Sequence, residues 1–234
     1  MLMVARMEQI ARLPRHLSDT RLYDLAMGAP LILFSGFALA GFAMVMPGQL
    51  QAQPPDYRLI ITETVTGLFL ALQLILVCMR RLPLRKAPGF WPRAWGFAGA
   101  NLGYAVLLLP KTNLGPVMAG ISATIVVTGT LGSLVTLFWL GRAFAILPQA
   151  RMLVTTGPYA YLRHPLYLFE QWATLGVALQ YLQPWGLLLV AASIAIQFPR
   201  MRYEEDVLRA TFPGYEAYAR STPRLVPFLR PGSY

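Results

Sequence analysis

Arginine, histidine and tyrosine crowd into one short stretch of an otherwise apolar chain. In TTGPYAYLRHPLYLFEQW, residues 155–172, Arg163 and His164 stand directly before Pro165, with Tyr159, Tyr161 and Tyr167 around them. Proline is favoured in the first turn of a helix, where its missing N–H would be unpaired anyway, so Pro165 predicts a helix start. Free N–H groups at such a start, beside an arginine, suit a carboxylate or a phosphate. Tyrosines, with apolar faces and hydroxyl tips, suit a flat ring. The competing explanation for a single histidine here is ordinary hydrogen-bonded packing. Further along, RYEEDVL sets Glu204 and Glu205 about 100° apart on a helix, so they cannot face the same way. One is free to point into a pocket while the other pairs with an arginine. Arg202 is spaced to pair with Glu205 or with Asp206. Taken alone, these charges also fit a solvated turn beyond a membrane helix.

The elements that must position these residues are membrane elements. The chain has 234 residues, of which 56% are hydrophobic and only 13% charged, against about a quarter charged in ordinary soluble domains. A bilayer crossing takes roughly 20 apolar residues. Segments at about 29–46, 59–79, 94–109, 117–140, 166–182 and 184–198 are candidates, the last two reading as a tight hairpin. The expected fold is an all-α, polytopic integral membrane protein with about six transmembrane helices. Residues 1–140 form a membrane region of four spans. Residues 141–234 hold the hairpin, a loop with the candidate site, and an interfacial tail. Such a hairpin brings the start of the fifth span and the end of the sixth to one face, so Arg163 and His164 meet Glu204 and Glu205.

Charge supplies the topology. The net charge is +10. Every lysine and arginine except Arg58 and Lys111 falls before span one, between spans two and three, between four and five, or after six. The positive-inside rule then places both termini and the two basic loops in the cytoplasm, and the excess suits anionic lipid headgroups. A nucleic-acid partner is excluded, since no folded basic domain carries the charge. The amino terminus lacks the pattern of a cleaved signal peptide. Single Cys78 excludes an internal disulfide and a multi-cysteine metal site, and no metal is expected. Glycines at 99 and 103, and at 129 and 132, are spaced for close helix approach. After span six a helix is expected from Pro199 to about Thr211. Beyond it PGYEAYARSTPRLVPF is expected to lie along the interface, tyrosines at headgroup level.

GPYAYLRHPLY, a hydrophobic hairpin, then EEDVLRATFPGYEAYARSTPRLVPF together resemble the isoprenylcysteine carboxyl methyltransferase family, whose wider relatives include phospholipid methyltransferases. The resemblance covers about residues 150 to 228; the earlier spans match only in being hydrophobic. It implies an integral membrane methyltransferase that uses S-adenosylmethionine without a Rossmann fold. It further implies that Gly157, Tyr159, Arg163, His164, Pro165, Tyr167, Glu204 and Glu205 bind the cofactor, in a pocket facing the cytoplasm. The carboxylates would take ribose hydroxyls or the amino group, and Arg163 the methionine carboxylate. Arg202 and Glu205 are the catalytic candidates, Arg202 orienting the acceptor. The acceptor is a lipophilic small molecule or lipidated group, arriving sideways between spans. If it is a carboxylate no base is needed; if it is an amine, a glutamate is wanted to take its proton. One departure stands out: relatives carry a small residue two positions beyond the tyrosine of Arg-His-Pro-x-Tyr, whereas this chain has Phe169, followed by Glu170. That Phe169 is expected to narrow the pocket or move the acceptor. Glu170 needs a polar cavity or an arginine to sit in an apolar segment. The alternatives are a membrane reductase with a nicotinamide cofactor and a non-enzymatic scaffold or transporter. Oligomeric state is not legible.

Overall fold

The computed structural model describes residues 20–181 and 183–226. The predicted basic residues Arg6, Arg12, Arg15 and Arg230, and the end of the expected interfacial tail, lie outside these. Helix α1, Arg21–Gln51, opens on Thr20, whose hydroxyl accepts from the Tyr23 N–H at 3.2 Å. Helix α2, Tyr57–Met79, opens on Asp56, whose carboxylate accepts from the N–H groups of Arg58 and Leu59. Both caps satisfy donors that have no partner inside the helix. A short α3, Phe90–Asn101, runs into a 3-10 helix at Leu102–Leu108. Helix α4, Pro116–Leu140, and helix α5, Pro165–Ala178, both start on proline, so Pro165 begins a helix as its position predicts. Helix α6, Trp185–Thr211, continues past Pro199 to the expected end, and α7, Tyr215–Ser221, follows.

Helices α1, α2 and α4 are long and apolar enough to cross a bilayer. The other three expected spans take a different form. Segment 94–109 is divided between α3 and the 3-10 helix, α5 has 14 residues, and the apolar half of α6 gives way to a charged half at Arg200. Close packing accounts for the irregular segment. A Cβ on Gly99 would meet the Arg200 and Gln197 side chains, and one on Gly103 would meet Thr174 and Ser193. Glycine is what lets the polar flank of α6 and the side of α5 approach this backbone.

The tightest helix pair is α4 with α5. A Cβ on Gly129 would collide with the Ala173 backbone, and one on Gly132 would run into the Phe169 ring. Phe169 therefore seats on α4, in the space Gly132 leaves, and does not narrow the cavity described below. The hairpin partners α5 and α6 pack together, and α6 also packs on α3. At the opposite end, Lys111 bridges to Tyr181 and the Thr112 N–H donates to the Gln180 carbonyl at 3.0 Å.

Two features were not foreseen from the sequence. The basic loops pair as a short antiparallel ladder, β1 (Arg85–Lys86) with β2 (Gln149–Ala150), in the register Arg85 opposite Ala150. Beside it lies a buried ion cluster. Asp24 of α1 accepts from Arg80 Nε at 2.8 Å and from Arg151 Nη2 at 2.6 Å, and all three side chains are almost wholly buried. The charge pattern marks Arg80 and Arg151 as members of an exposed basic side. They instead fasten α1 to both loops.

The Gly132–Phe169 contact yields a test. Gly132→Leu should destabilise the detergent-solubilised protein by about 1–3 kcal/mol, the usual penalty of overpacking. Adding Phe169→Ala should recover part of that loss in the thermal midpoint, because it vacates the collision.

Candidate functional site

The predicted meeting of the two halves of the motif is present. Pro165 puts His164 at the amino-terminal cap of α5, and α6 carries Glu204 and Glu205 to the same face. Glu205 is the hub. Its carboxylate accepts from His164 Nε2 at 3.0 Å, from Arg163 Nη1 at 2.8 Å, and from Arg224 Nε and Nη2 at 2.8 and 2.7 Å. Since a carboxylate only accepts, His164 carries its proton on Nε2. The backbone repeats the link: the Arg163 N–H donates to the Pro223 carbonyl and the His164 N–H to that of Arg224. Helix α7 is bound too, its Tyr218 hydroxyl donating to the Tyr159 carbonyl at 2.6 Å.

Burial pushes the Glu205 carboxyl up. Hydrogen bonds from His164 and Arg224 and the Arg163 charge outweigh it and hold the group at about 2, against an ordinary 4.5. Glu205 is therefore a carboxylate at any physiological pH, fully engaged by the protein.

Glu204 faces elsewhere. It borders a cavity of about 620 Å³ whose polar end is also lined by Tyr159, Arg163, His164, Tyr167, Glu170, Gln171, Arg200 and Tyr215. The Tyr167 hydroxyl donates to Glu204, and Arg200 Nε lies 3.4 Å from it. Three flat groups stack there. The His164 and Tyr167 rings are 7° from parallel with centroids 5.4 Å apart, and the Arg200 guanidinium lies 4.5 Å over the Tyr167 ring. From this end the cavity runs into an apolar slot past Tyr104, Leu107, Phe34 and Phe69.

Several residue assignments change. Glu205 does not line the cavity, because its oxygens are committed to Arg163, His164 and Arg224. Arg202 is exposed and does not line it either. On an α-helix it lies two residues, about 200°, around from Arg200. Arg200 is the buried arginine of the site, and its i,i+4 spacing from Glu204 was the signal available in the sequence. Gly157 and Pro165 shape the wall from behind. Gly157 has a φ of +59° and leaves room for the Trp139 ring, where a Cβ would collide. Tyr161 is exposed. Tyr159, Arg163, His164, Tyr167 and Glu204 line the cavity, and so does Glu170.

Residues 111–214 match the phospholipid methyltransferase family. The matched stretch takes in α4, α5 and α6, with His164, Tyr167, Arg200 and both glutamates. That family is a relative of the isoprenylcysteine carboxyl methyltransferases. Over 114 residues the chain is 34% identical to the nickel-cobalt-cadmium resistance protein NccN of Alcaligenes xylosoxydans xylosoxydans, covering 47% of this chain and 53% of that one. It is 32% identical to the cobalt-zinc-cadmium resistance protein CzcN of Cupriavidus metallidurans, covering 47% and 52%. The chain thus spans about half the length of the curated relatives it matches. No solved structure matches it. Among the described residues there is no cluster of histidine, cysteine, aspartate or glutamate fit to hold a metal ion.

The hub makes two expectations measurable. Glu205→Gln strands Arg163 and Arg224 and should destabilise the protein by about 3–5 kcal/mol, as breaking one side of a buried ion pair does. Because the folded-state pKa lies below the unfolded one, the contribution of Glu205 is full above pH 4.5 and disappears as pH falls toward 2. The thermal midpoint of the wild type should fall across that window, and Glu205→Gln should fall less steeply.

Proposed function

We propose that the protein is an S-adenosylmethionine-dependent membrane methyltransferase acting on an acceptor with a lipophilic tail. The observation that carries this reading is one cavity with two ends, a charged and aromatic end built from Arg163, His164, Tyr167, Arg200 and Glu204, and an apolar slot continuous with it.

The residues present fit the cofactor. Arg163 Nε and the Tyr215 hydroxyl are buried polar atoms with no hydrogen-bond partner in the protein, and both residues line the cavity. Unmet donors of this kind suit the methionine carboxylate. Glu204 is the carboxylate for the amino group or ribose hydroxyls, and the Tyr159 face suits the adenine ring. When bound, the cofactor supplies an activated methyl group, so the protein's own task is alignment and exclusion of water. His164 and Tyr167 wall the site. Glu205, bound to three side chains, positions Arg163 and His164 without touching the ligand. Arg200, not Arg202, is the arginine assigned to the reacting end.

We read the chain as six membrane segments of unequal length, with both termini, the β1–β2 ladder and the polar mouth of the cavity cytoplasmic. Residues 1–140 supply the membrane region and 141–234 most of the site.

Calorimetric titration of S-adenosylmethionine and S-adenosylhomocysteine into detergent-purified protein tests the proposal. Micromolar binding is expected, weakened about tenfold or more, roughly 1.4 kcal/mol, in Glu204→Gln and unchanged in Arg202→Ala. Absence of binding to folded wild type would overturn it.

A further inference from the structure

The cavity meets the outside of the protein at two places. Of the described residues that line it, four are exposed: Met152, in the loop after β2, and Phe34, Phe37 and Leu107. Met152 belongs to the loop that leads to Gly157 and the charged end. The other three belong to the apolar slot. Phe37 is 83% exposed, Leu107 48% and Phe34 36%, so these side chains face the cavity and the surroundings at once. Phe34 and Phe37 are on α1, a helix long and apolar enough to cross a bilayer, where the surroundings are hydrocarbon. Phe34 follows Asp24 by ten residues, about 15 Å of helix, which sets the opening in the apolar stretch of α1 and away from the buried ion cluster at its base.

The two sides of this opening are built alike. Phe34 and Phe37 are three residues apart on an α-helix and share a face. Tyr104 and Leu107 are three apart on the 3-10 helix, where such positions eclipse. All four line the cavity. The Phe34 and Tyr104 rings touch across the gap, their centroids 4.6 Å apart and their planes tilted by 44°. Elsewhere α1 packs along α2, so this ring contact spans the opening. The base of α1 is held fast, by Asp24 between Arg80 and Arg151 and by Gly28 against Val77. Tyr104 stands on the less rigid side. Seven residues are a long run for a 3-10 helix, whose hydrogen bonds are poorer than those of an α-helix.

We propose that Phe34 and Tyr104 form a side gate, through which the hydrocarbon tail of the acceptor passes from the bilayer into the slot. This rests on the methyltransferase reading above. With the rings together, the slot is closed to lipid at this point. With Tyr104 drawn back, a tail enters between α1 and the 3-10 helix and exchanges lipid for Phe37, Phe69 and Leu107. It never leaves apolar surroundings, so entry carries no cost of exposing the tail to water. The continuity of the cavity then leads the reacting group toward Arg200 and Glu204. Both gate residues precede the matched residues 111–214, so the gate belongs to a part of this chain that the family match does not reach.

The test locks the gate and asks whether lipid still enters. Phe34→Cys and Tyr104→Cys are combined with Cys78→Ser, since Cys78 is the only native cysteine. The new pair is bridged in detergent by a short bifunctional thiosulfonate, whose bridge a reductant releases. The full chain then enters nanodiscs of phosphatidylcholine carrying a diazirine on one acyl chain. After irradiation, residue-resolved mass spectrometry of the unbridged protein should find labels on Thr130 and Ser133, which are buried and line the cavity, and on Phe138, which is exposed. The bridged protein should lose the labels on Thr130 and Ser133 and keep the one on Phe138, and reductant should restore them. Phe34→Ala with Tyr104→Ala should strengthen the interior labels. Interior labels that survive bridging, or that are absent from the unbridged protein, would overturn the gate. S-adenosylhomocysteine affinity, measured on the same samples, should be equal with and without the bridge. A folded protein that binds none, while its interior labels respond to the bridge, would count against the methyltransferase reading alone.

Discussion

The arrangement of the candidate site depends on one buried carboxylate. Glu205 receives the loop before α5 through Arg163 and His164, and the segment after α7 through Arg224. Two pieces of chain distant in sequence converge on its two oxygens. Each donor is charged or carried by a polar ring, and none reaches another carboxylate in its place. Remove that acceptor and two guanidinium groups stand buried with nothing opposite, a situation costlier than the pair's net contribution when intact. The cavity wall formed by His164, Tyr167 and Tyr159 inherits its position from this clamp, so a residue that touches no ligand shapes the ligand's surroundings.

The clamp also separates the roles of two adjacent glutamates. A helical step of about 100° turns Glu204 to the cavity while Glu205 faces the loop and tail. One residue is left to interact with whatever enters, and its neighbour to hold the wall. The same economy appears at Phe169 and Glu170, where the aromatic ring fills the notch at Gly132 and the carboxylate borders the cavity. In each pair a bulky or fully bonded side chain fixes the helix, and the adjacent residue is available for chemistry.

Much of this was legible in the sequence. The helix start at Pro165, the long final helix through Thr211 and the meeting of His164 with the glutamate pair all follow from local rules of proline, periodicity and hairpin geometry. The glycine pairs were legible as contact points, though not which side chains would fill them. Three things were hidden. Hydropathy alone does not separate a full crossing from the shorter α3 and α5, since apolar composition reports burial in protein as readily as in lipid. Arg80 and Arg151 looked like topological charges, because nothing in their spacing reveals that Asp24, far back in the chain, lies between them. Arg202 stands out in the sequence by its spacing to Glu205 and Asp206, whereas burial decides which arginine meets the cavity, and that is Arg200.

The order in which the chain emerges gives the clamp a further meaning. Glu205 follows His164 by 41 positions and precedes Arg224 by 19. A ribosome delivers the apolar helices α1, α2 and α4 to the bilayer well before this carboxylate exists, and for a while afterwards Glu205 has only Arg163 and His164 to answer it. Closure of the wall thus waits for the stretch after α7, which makes assembly of the pocket a late event, downstream of membrane insertion. A chain halted at Gly214, where the family match ends, would carry every residue that lines the charged end of the cavity except Tyr215 and Tyr218, yet would lack the strap that draws them into place.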